Sequence, residues 1–305
     1  MKKITFLFVL VLGWYSGFSQ VVTPRLDSGF PVEMSSAVGW RFGSAFGGNT
    51  AVGKEASSAE DLDYHYIDSS VIFIYQPSHV VTEIYWKPVG NQYEWDTSTD
   101  ALVETPTSDA RFALTIRGDN RFSVGIGYRS QEAELSSYSS TVTSFEGSFS
   151  IRMFEGLYLG GGYQRFSENM SIDDSRKWNK MLGGIAFQFG NPLGNIFRVE
   201  GSFGTSPEVE SDNQIASTKP KEDQIRAAVE VLYDPFLISY SYENNTYAAL
   251  DGVSDGKIMV KHGYGLGMKL GSFTLGLYLY LGTETFGNAE MNTTKVQTTF
   301  SYNFI

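Results

Sequence analysis

Three histidines are the only imidazoles in the 305 residues, and there is no cysteine. His65 and His262 fall on the apolar side of alternating segments and His79 sits in a short connection. A hydrolytic site needs a nucleophile, a base and an orienting acid within hydrogen-bond reach of one another, and these positions cannot supply it. The chain is therefore expected not to be an enzyme. Absent cysteine removes thiol catalysis, disulfide staples and zinc–thiolate sites together. Glu60, Asp61 and Asp63 are the densest run of hard oxygens, but no calcium-loop spacing surrounds them, so no metal and no cofactor is expected. Gly160-Gly161-Gly162 lies inside a strand pattern with no helix after it. It reads as room for Phe149 across the pair at Gly161, not as a phosphate cradle.

The remaining chemistry is electrostatic. Arg41, Arg111, Arg117, Arg121, Arg129, Arg152, Arg198, Arg226, Lys261 and Lys269, with Lys87, fall on the wet side of alternating segments, facing Asp68, Glu83, Asp109, Glu146, Glu200, Glu230 and Glu243. Bases outnumber acids there although the net charge is −11, so the surplus carboxylates belong to connections, such as Glu55, Glu94, Asp96, Glu104, Glu208 and Asp212. Guanidinium groups lining a water-filled passage would favour small anionic or polar solutes. The same charges would serve equally as wall-to-wall ion pairs. An acidic protein has no basic face with which to displace counterions, so nucleic acid is not an expected partner.

Strands must position these side chains. Phe112, Leu114 and Ile116 alternate with Arg111, Ala113, Thr115 and Arg117; Phe273, Leu275, Leu277, Leu279 and Leu281 alternate with Thr274, Gly276, Tyr278 and Tyr280. Period-two alternation is the two-sided sheet signal. It recurs over about 14 segments: 34–46, 64–75, 79–88, 109–117, 121–134, 139–153, 156–168, 178–190, 195–206, 222–233, 236–245, 258–270, 272–284 and 291–305. Short connections alternate with long polar ones at 47–63, 89–108, 207–221 and 246–257. A two-residue turn at Gly271-Ser272 places Leu270 opposite Phe273, Gly265 opposite Tyr278 and Gly263 opposite Tyr280. An aromatic ring lying over a glycine is a recognised cross-strand solution. The same exercise pairs Asp68 with Lys87, Asp109 with Arg129 and Arg226 with Glu243. Tyr278 and Tyr280 thereby join the candidate lumen-lining residues.

A soluble sandwich would bury its apolar face between two sheets. Here that face is large and aliphatic in nearly every strand, and aromatics (Trp40, Tyr75, Trp86, Tyr128, Tyr163, Trp178, Tyr233, Tyr242, Phe286) fall at strand ends as an interfacial girdle would. The expected fold is an all-β, transmembrane, antiparallel up-and-down β-barrel of 12 to 14 strands, with lipid as its outer partner. Residues 1–20, with Lys2 and Lys3 before the apolar run Ile4 to Leu12, read as a secretory signal peptide. Residues 21–33 read as a short periplasmic segment and 34–305 as the barrel.

With these features the chain resembles Gram-negative outer-membrane β-barrel proteins. The last strand adds to the likeness: Val296, Thr298, Phe300, Tyr302 and Phe304 alternate with polar residues, similar to the C-terminal strand that the barrel-insertion machinery of this class recognises, although Ile305 follows the final aromatic. The strand number resembles that of the fatty-acid and hydrocarbon transporters and of monomeric 14-strand porins. The segment from Gln20 to Glu33 is short for the hatch of the former. The resemblance implies the outer membrane, both termini in the periplasm, and a diffusion channel for small solutes with a mildly basic lumen. The alternatives are an uptake channel for hydrophobic molecules and a closed structural barrel displaying acidic loops to a partner.

Overall fold

Gly271 takes φ 63°, a left-handed conformation that glycine adopts without steric cost, and with Ser272 it closes a two-residue hairpin that leaves Leu270 paired to Phe273. This unit, two long alternating strands joined by a tight turn, generates the fold by repetition. The computed structural model describes residues 44–57, 63–75, 80–96, 101–118, 122–134, 139–190, 195–210, 212–213, 218–249, 256–286 and 289–304. The expected leader (1–20) and the segment 21–33 lie outside the described residues, as do Arg41 and Arg121.

The described residues are all-β. The strands are β1 (Ser44–Ser57), β2 (Asp63–Tyr75), β3 (Val80–Asp96), β4 (Ala101–Gly118), β5 (Phe122–Glu134), β6 (Ser139–Phe154), β7 (Leu157–Met170), β8 (Asp174–Gly190), β9 (Ile196–Ser206), β10 (Glu222–Tyr233), β11 (Phe236–Tyr247), β12 (Lys257–Leu270), β13 (Phe273–Phe286) and β14 (Ala289–Phe304). Each pairs antiparallel with its predecessor, giving an up-and-down sheet.

The burial pattern inverts that of a soluble protein. Phe145, Phe203, Leu266, Leu277 and Ile126 are exposed, each by more than half, whereas Glu146, Gln164, Lys180, Arg198, Glu230 and Gln297 are buried. On β13 the exposed apolar run goes from Phe273 to Leu281, and polar Thr283 follows. Nine tilted residues span roughly the 25 Å of hydrocarbon that a barrel strand crosses. At the upper edge of this band the Tyr240 hydroxyl meets His262 Nδ1 at 2.9 Å, and Tyr242 and Tyr264 complete a belt of rings on the apolar face.

Four expectations are corrected. The first described strand is β1 at 44–57, most of it within the stretch read as a long loop, because its apolar-face positions Gly48, Thr50 and Ala56 interrupt the alternation. A second of the four long connections, 89–108, is mostly strand: β3 and β4 continue to pair through Trp95↔Leu102. Asp68 faces Gly90 and not Lys87, since β2 and β3 slip register between Asp68 and Val71, and Lys87 instead faces Asp109. Asp109 meets Gln131 on β5 while Arg129 meets Arg111, because Gly118 stays in the strand opposite Phe122 and moves the turn one residue along the chain.

Candidate functional site

The polar face follows from strand parity, and among the described residues its densest chemistry lies between β6 and β14. Glu243 on β11 is a hub: its Oε1 accepts from Arg226 Nη2 at 3.3 Å, Gln224 Nε2 at 3.1 Å and Asn245 Nδ2 at 2.8 Å, and Lys261 lies opposite on β12. One strand over, Arg198 Nη2 reaches Glu230 Oε1 at 3.2 Å, with both residues buried. The amide oxygens of Gln164, Gln224, Asn245 and Gln297 are buried without a protein partner among the described residues. Buried acceptors of this kind ask for water or for a solute that brings donors.

At the end of the sheet that carries the longer connections, a second cluster forms. Lys180 Nζ meets Glu222 Oε1 at 2.8 Å, and Lys219, from the connection between β9 and β10, meets Glu222 Oε2 at 3.7 Å and Ser206 Oγ at 3.1 Å. Lys219 also lies 5.4 Å from the centre of the Trp178 ring, which stacks on Phe166 at 5.1 Å and 6°. Burial pushes the Lys219 ammonium below the usual lysine range; Glu222 opposes this, and Lys180 and Arg176 add to it. Val209 and Lys219 exchange backbone hydrogen bonds of 2.9 and 2.8 Å, and the Asn213 N–H donates to Asp174 Oδ1 at 3.0 Å, so this connection is fastened to the turn between β7 and β8. Beside it the Ser140 hydroxyl donates to Glu168 Oε1 at 2.7 Å, and Arg176 pairs with Glu168.

A third group lies across β12 to β14. Tyr278 and Tyr280 sit opposite Gly265 and Gly263, and a Cβ on either glycine would come within 2.5 and 2.8 Å of the facing ring. The two ring planes are nearly parallel, 15° apart with centres 6.3 Å apart, and Lys295 Nζ lies 5.3 Å from the Tyr280 ring centre.

Of the charge pairs read from sequence, Arg226 and Glu243 stand opposite one another and in contact. Arg152 and Lys269 lie on the polar face, Lys269 buried and opposite Thr274; Arg111 and Arg117 hold backbone positions of the same parity on β4. Sequence reasoning missed Glu168, Asp174, Arg176, Lys180, Glu222, Lys257, Glu284 and Lys295. It also put Trp178 in the outer girdle, whereas Trp178 shares parity with buried Lys180 and Asp174. The missing signal was parity continued past the apolar run, toward the polar ends of β7, β8, β10, β12 and β13. With these included, the polar face of β5 to β14 carries Arg129, Arg152, Arg176, Lys180, Arg198, Arg226, Lys257, Lys261, Lys269 and Lys295 against Glu146, Glu168, Asp174, Glu200, Glu222, Glu230, Glu243 and Glu284, ten bases against eight acids among the described residues.

No family model matches the chain, and no curated protein matches it in sequence. Solved structures match it in fold. A monoaromatic hydrocarbon channel, CymD, superposes with a TM-score of 0.59 at 6% identity, over 87% of this chain and 89% of that one. The toluene transporter TbuX of Ralstonia pickettii gives 0.54 at 9% identity, over 95% and 96%. A FadL homologue of Pseudomonas aeruginosa gives 0.53 at 8% identity, over 86% and 90%. At such identities the likeness is one of fold, that of the outer-membrane β-barrels.

Proposed function

We propose that the sheet closes on itself as a fourteen-stranded barrel in an outer membrane, both termini periplasmic, and that its lumen is a channel for diffusion of small polar solutes. The inverted burial carries this reading: leucine and phenylalanine side chains are exposed on one face while arginine, lysine, glutamate and glutamine are buried on the other. Only a surrounding of hydrocarbon makes that arrangement favourable at about 25 cal/mol per Å² of apolar surface removed from water. Closure is supported by the continuous register of β1 on β14, from Ser44↔Phe304 to Ser57↔Met291, which satisfies both edge strands. A barrel of this size exceeds the eight strands whose side chains just fill the interior and falls short of the open sixteen-strand pores, so a narrow passage is favoured.

The excess of bases on β5 to β14 is only two charges, and five of those ten cations, Arg176, Lys180, Arg198, Arg226 and Lys257, hold a carboxylate, so any preference for anions is mild. Insertion into the membrane is assigned to the insertion machinery acting on β14. A second reading, uptake of apolar molecules, draws on the likeness in fold to the hydrocarbon channel and toluene transporter and on the Phe166–Trp178 stack. Against it, an apolar solute would leave the buried amide oxygens without donors.

Planar-bilayer recording of the purified full-length protein tests the proposal. Steady current steps with a reversal potential slightly on the anion side in a salt gradient are expected. Absence of steps would favour a closed scaffold, and clear cation selectivity would overturn the assignment of the lumen.

A further inference from the structure

The outer, apolar face carries two cations at its edge. On β7 and β8 the exposed apolar run ends at Tyr163 and Met181, toward the longer connections, and the next outward positions are Arg165 and Ser167 on β7 and Asn179 and Lys177 on β8. Arg165 stands opposite Asn179 and Lys177 opposite Ser167, so the two cations are diagonal neighbours on one face, about 7–8 Å apart. Both are exposed, and neither side chain holds a hydrogen bond or an ion pair among the described residues. The described acids of this rim are engaged or lie further out. Glu132 accepts from Ser108 Oγ, Asp223 pairs with Lys221 and accepts from Thr205, Asp212 accepts from Ser175, and Asp173 sits in the turn beyond. Directly toward the band lies an aromatic patch: Phe145, opposite Arg165, is 65% exposed, Tyr163 is exposed too, and Phe145 meets Tyr128 at 5.1 Å.

Resting on the reading of the apolar face as covered by lipid, we infer that Arg165 and Lys177 form a binding site for a lipid headgroup bearing a phosphate monoester, in the leaflet that faces away from the termini. Such a phosphate carries about two negative charges, which these two cations match. The guanidinium offers it a two-pronged hydrogen bond, the ammonium adds a point charge, and Ser167 and Asn179 supply further donors. The acyl chains run over Phe145 and Tyr163. A zwitterionic headgroup would bring a cation of its own to a basic site, and free phosphate would leave the aromatic patch unused.

Two measurements on the full-length protein separate this inference from the membrane reading. Native mass spectrometry in detergent, with phosphatidic acid, phosphatidylglycerol or phosphatidylcholine added in turn, counts the lipid retained, and flotation after refolding into phosphatidylcholine vesicles reads membrane integration. Phosphatidic acid should bind about tenfold more tightly than phosphatidylcholine, with the singly charged phosphatidylglycerol between them, and an equal concentration of inorganic phosphate should not displace it. The double change Arg165→Gln/Lys177→Gln should remove most of this preference. Lys221→Gln, at an outer cation already held by Asp223, should retain it, with the gel shift of the unheated protein confirming that each variant folds. Equal binding of phosphatidic acid and phosphatidylcholine, phosphatidylglycerol matching phosphatidic acid, displacement by inorganic phosphate, or an unchanged preference in the double variant would overturn the site. Flotation without lipid preference would leave the membrane reading standing without this site, and lipid preference in a protein that does not float would leave the site standing without the membrane reading.

Discussion

Two arcs of the polar face are built on opposite plans. From β6 to β10 cations and anions come in contact pairs, Arg176 with Glu168, Lys180 with Glu222 and Arg198 with Glu230, interspersed with Ser144, Ser148, Ser150 and other small residues. From β12 to β14 aromatic rings lie against glycines; among the described residues Lys257 pairs with Glu284 and Lys261 faces Glu243 on β11. The first plan holds neighbouring strands by charge, neutralises itself and presents little to a solute. The second holds them by seating aromatic rings against glycine positions. Similar strands and an equally apolar outer face thus carry ion-pair bracing on one side and ring-on-glycine packing on the other.

The largest predicted effect tests the bracing. Glu230→Leu leaves the buried Arg198 guanidinium without its carboxylate and should lower stability by about 3–5 kcal/mol, while the double change Glu230→Leu/Arg198→Leu should recover most of that loss. Urea unfolding in detergent, followed by the shift in gel mobility of the unheated protein, reads both. A double variant no more stable than the single would mean that the pair is not the unit that matters.

The outer faces of the two arcs should respond alike. Leu277→Arg on β13 and Val231→Arg on β10 stand on one pairing row, through Leu266 and Ile238 at the middle of the apolar band, and each should cost about 2–4 kcal/mol in lipid vesicles, as a cation near the bilayer midplane does. A cost confined to one arc would place the other outside the hydrocarbon. On the inner side the arcs should diverge. Gly265→Val drives a methyl group into the Tyr278 ring and should cost about 1–3 kcal/mol, whereas Gly162→Ala on β7, whose Cβ would meet nothing closer than 3.4 Å, should fall within about 1 kcal/mol of the parent protein.

The second arc was the more legible in the sequence. A Gly-Ser turn between two leucine-rich alternating runs fixes register within one residue, and register then dictates that Tyr278 meets Gly265. The first arc was only partly legible. Arg226 and Glu243 followed from the short Asp234-Pro235 turn, but Lys180, Glu222, Glu168 and Arg176 lie beyond the apolar band, where both faces are polar and alternation in hydrophobicity ends although the strand continues. At β1 the signal was weaker still: with Gly48, Thr50 and Ala56 on the apolar face, a strand and a polar loop look the same. Lys219 was invisible for another reason. Its seat on Trp178 depends on how one connection folds over its neighbour, which no local periodicity encodes.

That seat gives the smallest predicted effect, at the boundary of the braced arc. Burial lowers the Lys219 pKa in the folded protein, so the unfolded chain binds this proton more tightly than the folded one. Stability contributed by the seat therefore rises with pH across the interval between the lowered value and the ordinary 10.5, and is constant outside it. Protection of the Val209 and Lys219 amides against hydrogen exchange, corrected for the intrinsic rate, should increase from neutral to mildly alkaline pH and lose that dependence in Lys219→Met, which keeps the stem over Trp178 and removes the charge. Lys221→Ala, which breaks the exposed pair with Asp223, should change nothing measurable. A fall in protection with rising pH would mean that Glu222 outweighs burial at this site, making Lys180, Glu222 and Lys219 a true ion-pair continuation of the bracing arc.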